Sequence, residues 1–312
     1  MRSPLSSIVA ATAVAAIALT ACGGKASNAL TGRSPGDIIA TSAKTSQQGS
    51  LRFDAKASVG FDASHLTGVS SSQAAQFAPL LRGVSLTGTG EQESAQRVRM
   101  TMSLKPLLTQ QVTAVAYDGS AYVSLDGSRF SAVPSLRGLS GGFGATPNDL
   151  TQYLQGLTSV RDLGSTQQDG QTVEHLQATL DQSVLQKALS QAGAQASGTG
   201  AGQPGQLGQL FTQFFQLQGG TVDAYVLPSN GQLDRVDVSM KVAIDFDRLK
   251  QVVGGLAGGS ATNAGAQIPG GSLGMTVDVG VHYHDYGAAI TVHKPTVDPN
   301  APSIPSNGIL GG

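Results

Sequence analysis

Tryptophan is absent from this chain of 312 residues, cysteine occurs once, and only 12% of positions are charged. A lone cysteine excludes a disulfide within the chain, so the fold rests on noncovalent interactions. Basic residues number 19 and acidic ones 20, with no basic run. Nucleic-acid binding needs clustered positive charge, which argues against that partner class. With so few charges, solubility falls to Gln, Ser, Thr and Gly. Apolar residues make up 40% of the chain, enough for a core, but aromatics are only 5%, so modest side chains must fill it.

Long hydrophobic runs are also scarce. The first lies at the N-terminus, where Arg2 precedes an uncharged apolar stretch from Ile8 to Leu19. A spanning helix needs roughly 20 mostly apolar residues, and this stretch gives way to Gly23-Gly24-Lys25. It reads as a signal peptide over residues 1–21 rather than a permanent anchor. The segment Leu19-Thr20-Ala21-Cys22-Gly23 resembles the bacterial lipobox, in which signal peptidase II cuts before a cysteine carrying diacylglycerol. The lone thiol, Cys22, sits where lipid attachment requires it. Each buried methylene contributes about 0.8 kcal/mol, so one acyl chain such as palmitate holds marginally and two or three hold firmly. The expected partner is therefore the membrane, through diacylglyceryl Cys22, with residues 22–34 as a tether. The rest of the chain is expected in an extracytoplasmic compartment, on the outer face of the cell membrane.

Past the tether, alternation of period two recurs. Leu51, Phe53, Ala55, Ala57, Val59 and Phe61 share one face. So do Val98, Met100, Met102 and Leu104; Val236, Val238, Met240, Val242, Ile244 and Phe246; and Val277, Val279, Val281 and Tyr283. Strands that bury one face and wet the other belong to antiparallel sheet. Shorter strands are predicted at 112–118, 121–126, 159–166, 172–180, 221–228 and 288–293. Asp118-Gly119 and Asn230-Gly231 are hairpin turns by composition, although Pro228 should end the strand before the second one early.

Helices are predicted at 36–47, 72–82, 149–157, 181–192, 207–217 and 247–256. Thr146, Pro147 and Asp149 make a capping box with its favoured proline. Asp62, Asp181 and Asp247 each follow a strand and precede a leucine, a position from which a carboxylate caps a helix. Two stretches rich in Gly, Ala, Ser and Gln, 193–208 and 254–274, read as loops within a single domain of residues 35–300. Residues 301–312 read as a disordered tail.

The helix near Asp37–Gln47 with its following long strand, the hairpin from Val115 to Leu125 ending near Phe130, the segment Val222–Val236 and the closing Val281–Pro295 together resemble a family. This is the actinobacterial LppX/LprG-type lipoproteins and, more widely, the LolA/LolB-like fold. The resemblance implies an α+β fold: a strongly curved antiparallel sheet, a half-barrel, with helices covering its concave face and an apolar cavity for acyl chains. It also implies a lipid, glycolipid or acyl ligand carried through the envelope. The larger inward residues, Phe53, Val59, Phe61, Met100, Met102, Met240 and Phe246, are the candidate lining, and methionine suits irregular partners. For any one of them plain core is the preferred reading, because apolar strand faces usually pack on protein.

Two enzyme patterns fail on context. Gly138-Leu139-Ser140-Gly141-Gly142 lacks the strand-to-helix elbow a serine hydrolase needs. Gly200, Gly202 and Gly205 have dinucleotide spacing but no preceding strand. No catalytic residue or cofactor is expected. His282 and His284, two apart on a strand, point the same way and could share a metal with Asp278 or His293. The plainer reading, a wet strand face with no metal, is preferred because further convergent ligands are not visible. The expectation is a non-enzymatic lipoprotein that binds or carries an amphipathic lipid. The alternative is an envelope protein-interaction or sensor-associated module.

Overall fold

The computed structural model describes residues 30–46, 49–69, 83–106, 110–132, 157–183, 214–256 and 268–301. The alternation seen in the sequence becomes one sheet of 12 strands. They are β1 (Leu51–Asp62), β2 (Leu66–Thr67), β3 (Val84–Ser94), β4 (Arg97–Lys105), β5 (Gln111–Tyr117) and β6 (Ser120–Ser124). Then come β7 (Ser131–Ala132), β8 (Thr158–Gln168), β9 (Gln171–Thr179), β10 (Phe215–Val226), β11 (Leu233–Asp245) and β12 (Gly270–His284). The order across the sheet is β7-β6-β5-β4-β3-β1-β12-β11-β10-β9-β8, with β2 paired to the start of β12. Every ladder is antiparallel, and the sheet is not closed into a barrel among the described residues.

Most neighbours in the sheet are also neighbours in sequence. The longest-range departure is at the centre, where β1 pairs with β12 and so joins the two ends of the domain; β1 also pairs with β3 past β2, which itself pairs with β12. Strand β1 alternates strictly, with Leu51, Phe53, Ala55, Ala57 and Val59 buried and the residues between them exposed. Two-residue turns close the short hairpins. Asp118 and Gly119 both have positive φ (46° and 80°), the backbone that Asp-Gly supplies for a type I′ turn. Asp169-Gly170 repeats it (48° and 81°) between β8 and β9. Gly231 (φ 69°) serves the turn after β10, which ends at Val226, before Pro228.

Two helices are described. Helix α1 (Pro35–Ser46) begins where Ser34 Oγ accepts from the Asp37 N–H at 3.2 Å and donates to its carboxylate at 2.6 Å, with Pro35 in the first turn. Its Ile38, Ile39 and Ala43 join the sheet's core, and the helix packs on β8, β10 and β11. Helix α2 (Phe246–Leu256) packs beside β12. Of the expected helical layer, the described residues contain only these two.

Several expectations are corrected. Asp62 caps no helix: its carboxylate accepts from the Ser64 N–H at 2.9 Å in a turn that leads into β2. At α2 the cap is Asp245, which takes the Arg248 N–H at 3.0 Å, while Asp247 takes the Gly271 N–H at 3.0 Å. Residues 215–217, expected as the end of a helix, begin β10, and 270–274, expected in a Gly-rich loop, begin β12. Strand β3 was not anticipated. Cys22, the lipobox, both rejected enzyme motifs, the capping box at Thr146 and the helix at 72–82 lie outside the described residues.

The predicted strand at 288–293 is instead an extended strap without a ladder. It leaves β12 at Asp285 and crosses the sheet, held by Ser50 Oγ donating to Ala288 O at 2.6 Å and by the Val292 N–H donating to Glu93 Oε2 at 2.9 Å. Ile290 and Val292 bury against Val115 and Tyr122 in a small second core. Further on, the Asp298 N–H donates to Phe130 O at 2.9 Å. The alternation of 288–293 reflects one side lying on this patch and the other in water.

Glu93 also pairs with Arg97 at 3.0 Å, and Arg97 with Asp118 at 3.0 Å. The Val292 N–H first, then Arg97, hold the Glu93 carboxyl below the usual range. A depressed carboxyl contributes stability that is present above its unfolded pKa and lost as pH falls through the folded one. Glu93→Gln is therefore expected to lower the melting temperature at neutral pH, by an amount that shrinks on acidification, as followed by circular dichroism across the acid range.

Candidate functional site

The cross-strand register lays the apolar side chains out in rows. One row runs Tyr283, Phe53, Gly90, Met100, Ala114 and Val123. The next runs Val236, Val281, Ala55, Gly88, Met102 and Val112. Below them come Val238, Val279, Ala57 and Leu86, then Met240, Val277, Val59 and Val84, then Val242, Met275 and Phe61.

The candidate lining residues therefore share one face. Phe53, Val59, Met100 and Met240 are buried in it, and Phe61 and Met102 pack on it partly buried. Phe246 is placed differently, as the first residue of α2 and only partly buried. Small residues separate the large ones: the ring of Phe53 covers Gly90 at the spot a Cβ would need, and Gly88 lies against Met102. These glycines were missed because β3 offers few apolar residues for a pattern to register.

The face is not uniformly sealed. Val236 and Val238 stay partly accessible although β11 lies inside the sheet, between β10 and β12, where Val222, Val279 and Val281 are buried. Leu86, Met102 and Phe61 also keep accessible surface.

The opposite face is polar. His175 Nε2 lies 2.8 Å from Asp223 Oδ1, which also accepts from Gln177 at 2.9 Å, and the His175 ring stacks on Tyr225 with centroids 4.5 Å apart. Asp223 stands directly opposite Asp237, a like-charge pair that destabilises a ladder. Arg235 Nε relieves it at 3.4 Å from Asp237. Burial raises the carboxyl pKa of Asp237 and of Asp234, and burial followed by Asp223 and Asp237 raises that of the Tyr225 phenol.

His282 and His284 lie on this face with rings 5.6 Å apart. Their partners differ from those considered in the sequence. His282 Nε2 is 3.9 Å from Asp234, and His284 is 3.4 Å from Asp54 and 3.3 Å from Asp285. Asp278 instead accepts from Ser239 at 2.7 Å, and His293 is exposed on the strap. Among the described residues no group of three or more His, Cys, Asp or Glu is arranged to hold a metal ion.

No family model matches the chain, and no curated protein is similar to it in sequence. Solved structures do match. The lipoprotein LppX of Mycobacterium tuberculosis is 12% identical, over 83% of this chain and 98% of its own, with a TM-score of 0.42. LprF of Mycobacterium bovis is 12% identical, over 84% of this chain and 96% of its own, with a TM-score of 0.40. Both are lipoproteins of the kind the sequence resembles. The likeness is structural and low in identity, and it assigns no residue of this chain a role.

Gly90→Ala places a methyl group in the ring of Phe53. Overpacking of this kind costs about 1 to 3 kcal/mol, so the urea midpoint is expected to fall, whereas Gly60→Ala, whose added methyl meets open space, should leave it nearly unchanged.

Proposed function

We propose that this chain is an extracytoplasmic, non-enzymatic lipoprotein that binds or carries an amphipathic lipid, glycolipid or acyl chain against the apolar face of its sheet. In this reading residues 1–21 are the signal peptide, diacylglyceryl Cys22 is the anchor on the outer face of the membrane, and 22–34 is the tether. The single domain follows, with 301–312 as its tail.

The observation that carries the proposal is the accessible surface of Val236 and Val238 in the middle of an apolar face. A closed core would bury them as it buries their neighbours. Covering apolar surface contributes about 25 cal/mol per Å², and a flexible acyl chain can follow a floor in which Gly88, Ala55 and Ala57 alternate with valines and methionines. An interaction module would instead present a contiguous exposed apolar patch. The large exposed hydrophobics among the described residues, Leu163 and Val297, lie on opposite margins of the sheet, which favours the carrier.

The test is native mass spectrometry of the Ser27–Gly312 form purified from its own host, with organic extraction of bound material. A stoichiometric lipid is expected, and it should be lost in Val238→Trp or Met102→Trp. A clean apo mass with no uptake of added lipids would move the assignment to a protein-interaction module. Separately, Cys22→Ser is expected to abolish incorporation of labelled palmitate and to release the protein from the membrane fraction. Membrane retention of that variant would remove the anchor from the proposal.

A further inference from the structure

The polar face carries an open groove of about 280 Å³ over β12, β1, β3 and β4, with Phe53 and Gly90 of the intervening row also bordering it. Its lining includes Arg52, Asp54, Thr89, Glu91, Arg99, Thr101 and His284. The register explains why they meet: His284, Arg52, Glu91 and Arg99 form one cross-strand row, and Asp54, Thr89 and Thr101 the next. Threonines are short beside arginine and glutamate, so the second row makes a hydroxyl-bearing floor and the first a charged rim.

Part of the rim is already committed. Arg52 pairs with Asp285 at 3.0 Å, and His284 lies between Asp54 and Asp285. Glu91 and Arg99 are not committed. They are direct cross-strand partners, yet among the described residues neither makes an ion pair or a side-chain hydrogen bond. A carboxylate and a guanidinium therefore stand side by side over hydroxyls, with hydrogen-bonding capacity of both kinds unused.

We infer that this groove is a binding site for a small neutral polyhydroxyl ligand, a saccharide of one or two rings, distinct from the lipid-binding face proposed above. The charge pattern selects that chemistry. An anion drawn to Arg99 would face Glu91 and Asp54, and a cation drawn to Glu91 would face Arg52 and Arg99. A ligand rich in hydroxyls meets both: it donates to the carboxylates and accepts from the guanidinium groups, in charge-assisted hydrogen bonds. The groove is open to solvent, so the expected affinity is millimolar and the dependence on salt slight, because no counter-charge is neutralised on binding.

Isothermal titration calorimetry on the full chain, in a detergent without sugar headgroups, tests this with maltose, trehalose and lactose against inorganic phosphate and glycine betaine. Saturable binding of at least one disaccharide is expected, weakened about fivefold by Arg99→Gln and by Glu91→Gln, the loss of one charge-assisted hydrogen bond in each case. Absence of binding by every saccharide overturns the inference. So does binding of phosphate or betaine in their place, and so does saccharide binding that both substitutions leave unchanged. Lipid loading is read separately by mass spectrometry, so either site can fail without the other.

Discussion

The rest of the structure hangs on the pairing of β1 with β12. Strands β3 to β7 are built outward from β1, and β11 to β8 outward from β12, so this ladder is the seam between two halves assembled from local hairpins. Its register is enforced by burial: Phe53 opposes Tyr283, Ala55 opposes Val281, Ala57 opposes Val279 and Val59 opposes Val277. A slip of one residue would turn a whole apolar set toward water. Because every other strand takes its facing from this seam, one pairing decides which side of the sheet is greasy and which is wet.

The two sides then follow different rules. On the apolar side large and small residues alternate, with Gly90 on β3 next to Phe53 on β1 and Gly88 next to Ala55. The Phe53 ring fills the space over Gly90 and Met102 lies against Gly88, so large and small residues interlock across β1, β3 and β4. On the polar side the charges are sparse but local, and carboxylates crowd each other: Asp223 opposes Asp237, and Asp234 is buried beside His282. Burial raises the pKa of Asp234 and Asp237, so both are costly as anions and their effect on stability runs opposite to that of Glu93.

Strands β1 and β4, β11 from Val236 and β12 from Met275 were legible because apolar residues recur there at every second position. Strand β3 was not, because glycine stands at inward positions 88 and 90, where a pattern search expects an apolar side chain. The strap was misread for the converse reason: Ile290 and Val292 alternate with polar residues, but their backbone meets a glutamate side chain and loops rather than a neighbouring strand. That Phe53, Val59, Met100, Met102 and Met240 share one face was legible, since facing follows from alternation alone. The surroundings of His282 and His284 were not, because Asp54 comes from β1 and Asp234 from an irregularity in β11, both far away in sequence, and only Asp285 adjoins the pair. Asp-Gly at 118 and 169 specified tight turns through backbone preference, with no help from distant contacts.

The strap also comes late in the order of synthesis. Until residues 290 and 292 have been made, Val115 and Tyr122 lie bare on the side of the sheet that is otherwise polar. A chain that stops short of them can still pair most of its strands, yet it displays a sticky patch that the finished chain hides. The strap thus acts as a cover, and how well Val115 and Tyr122 are shielded depends on Ile290 and Val292 holding to the polar side of the sheet.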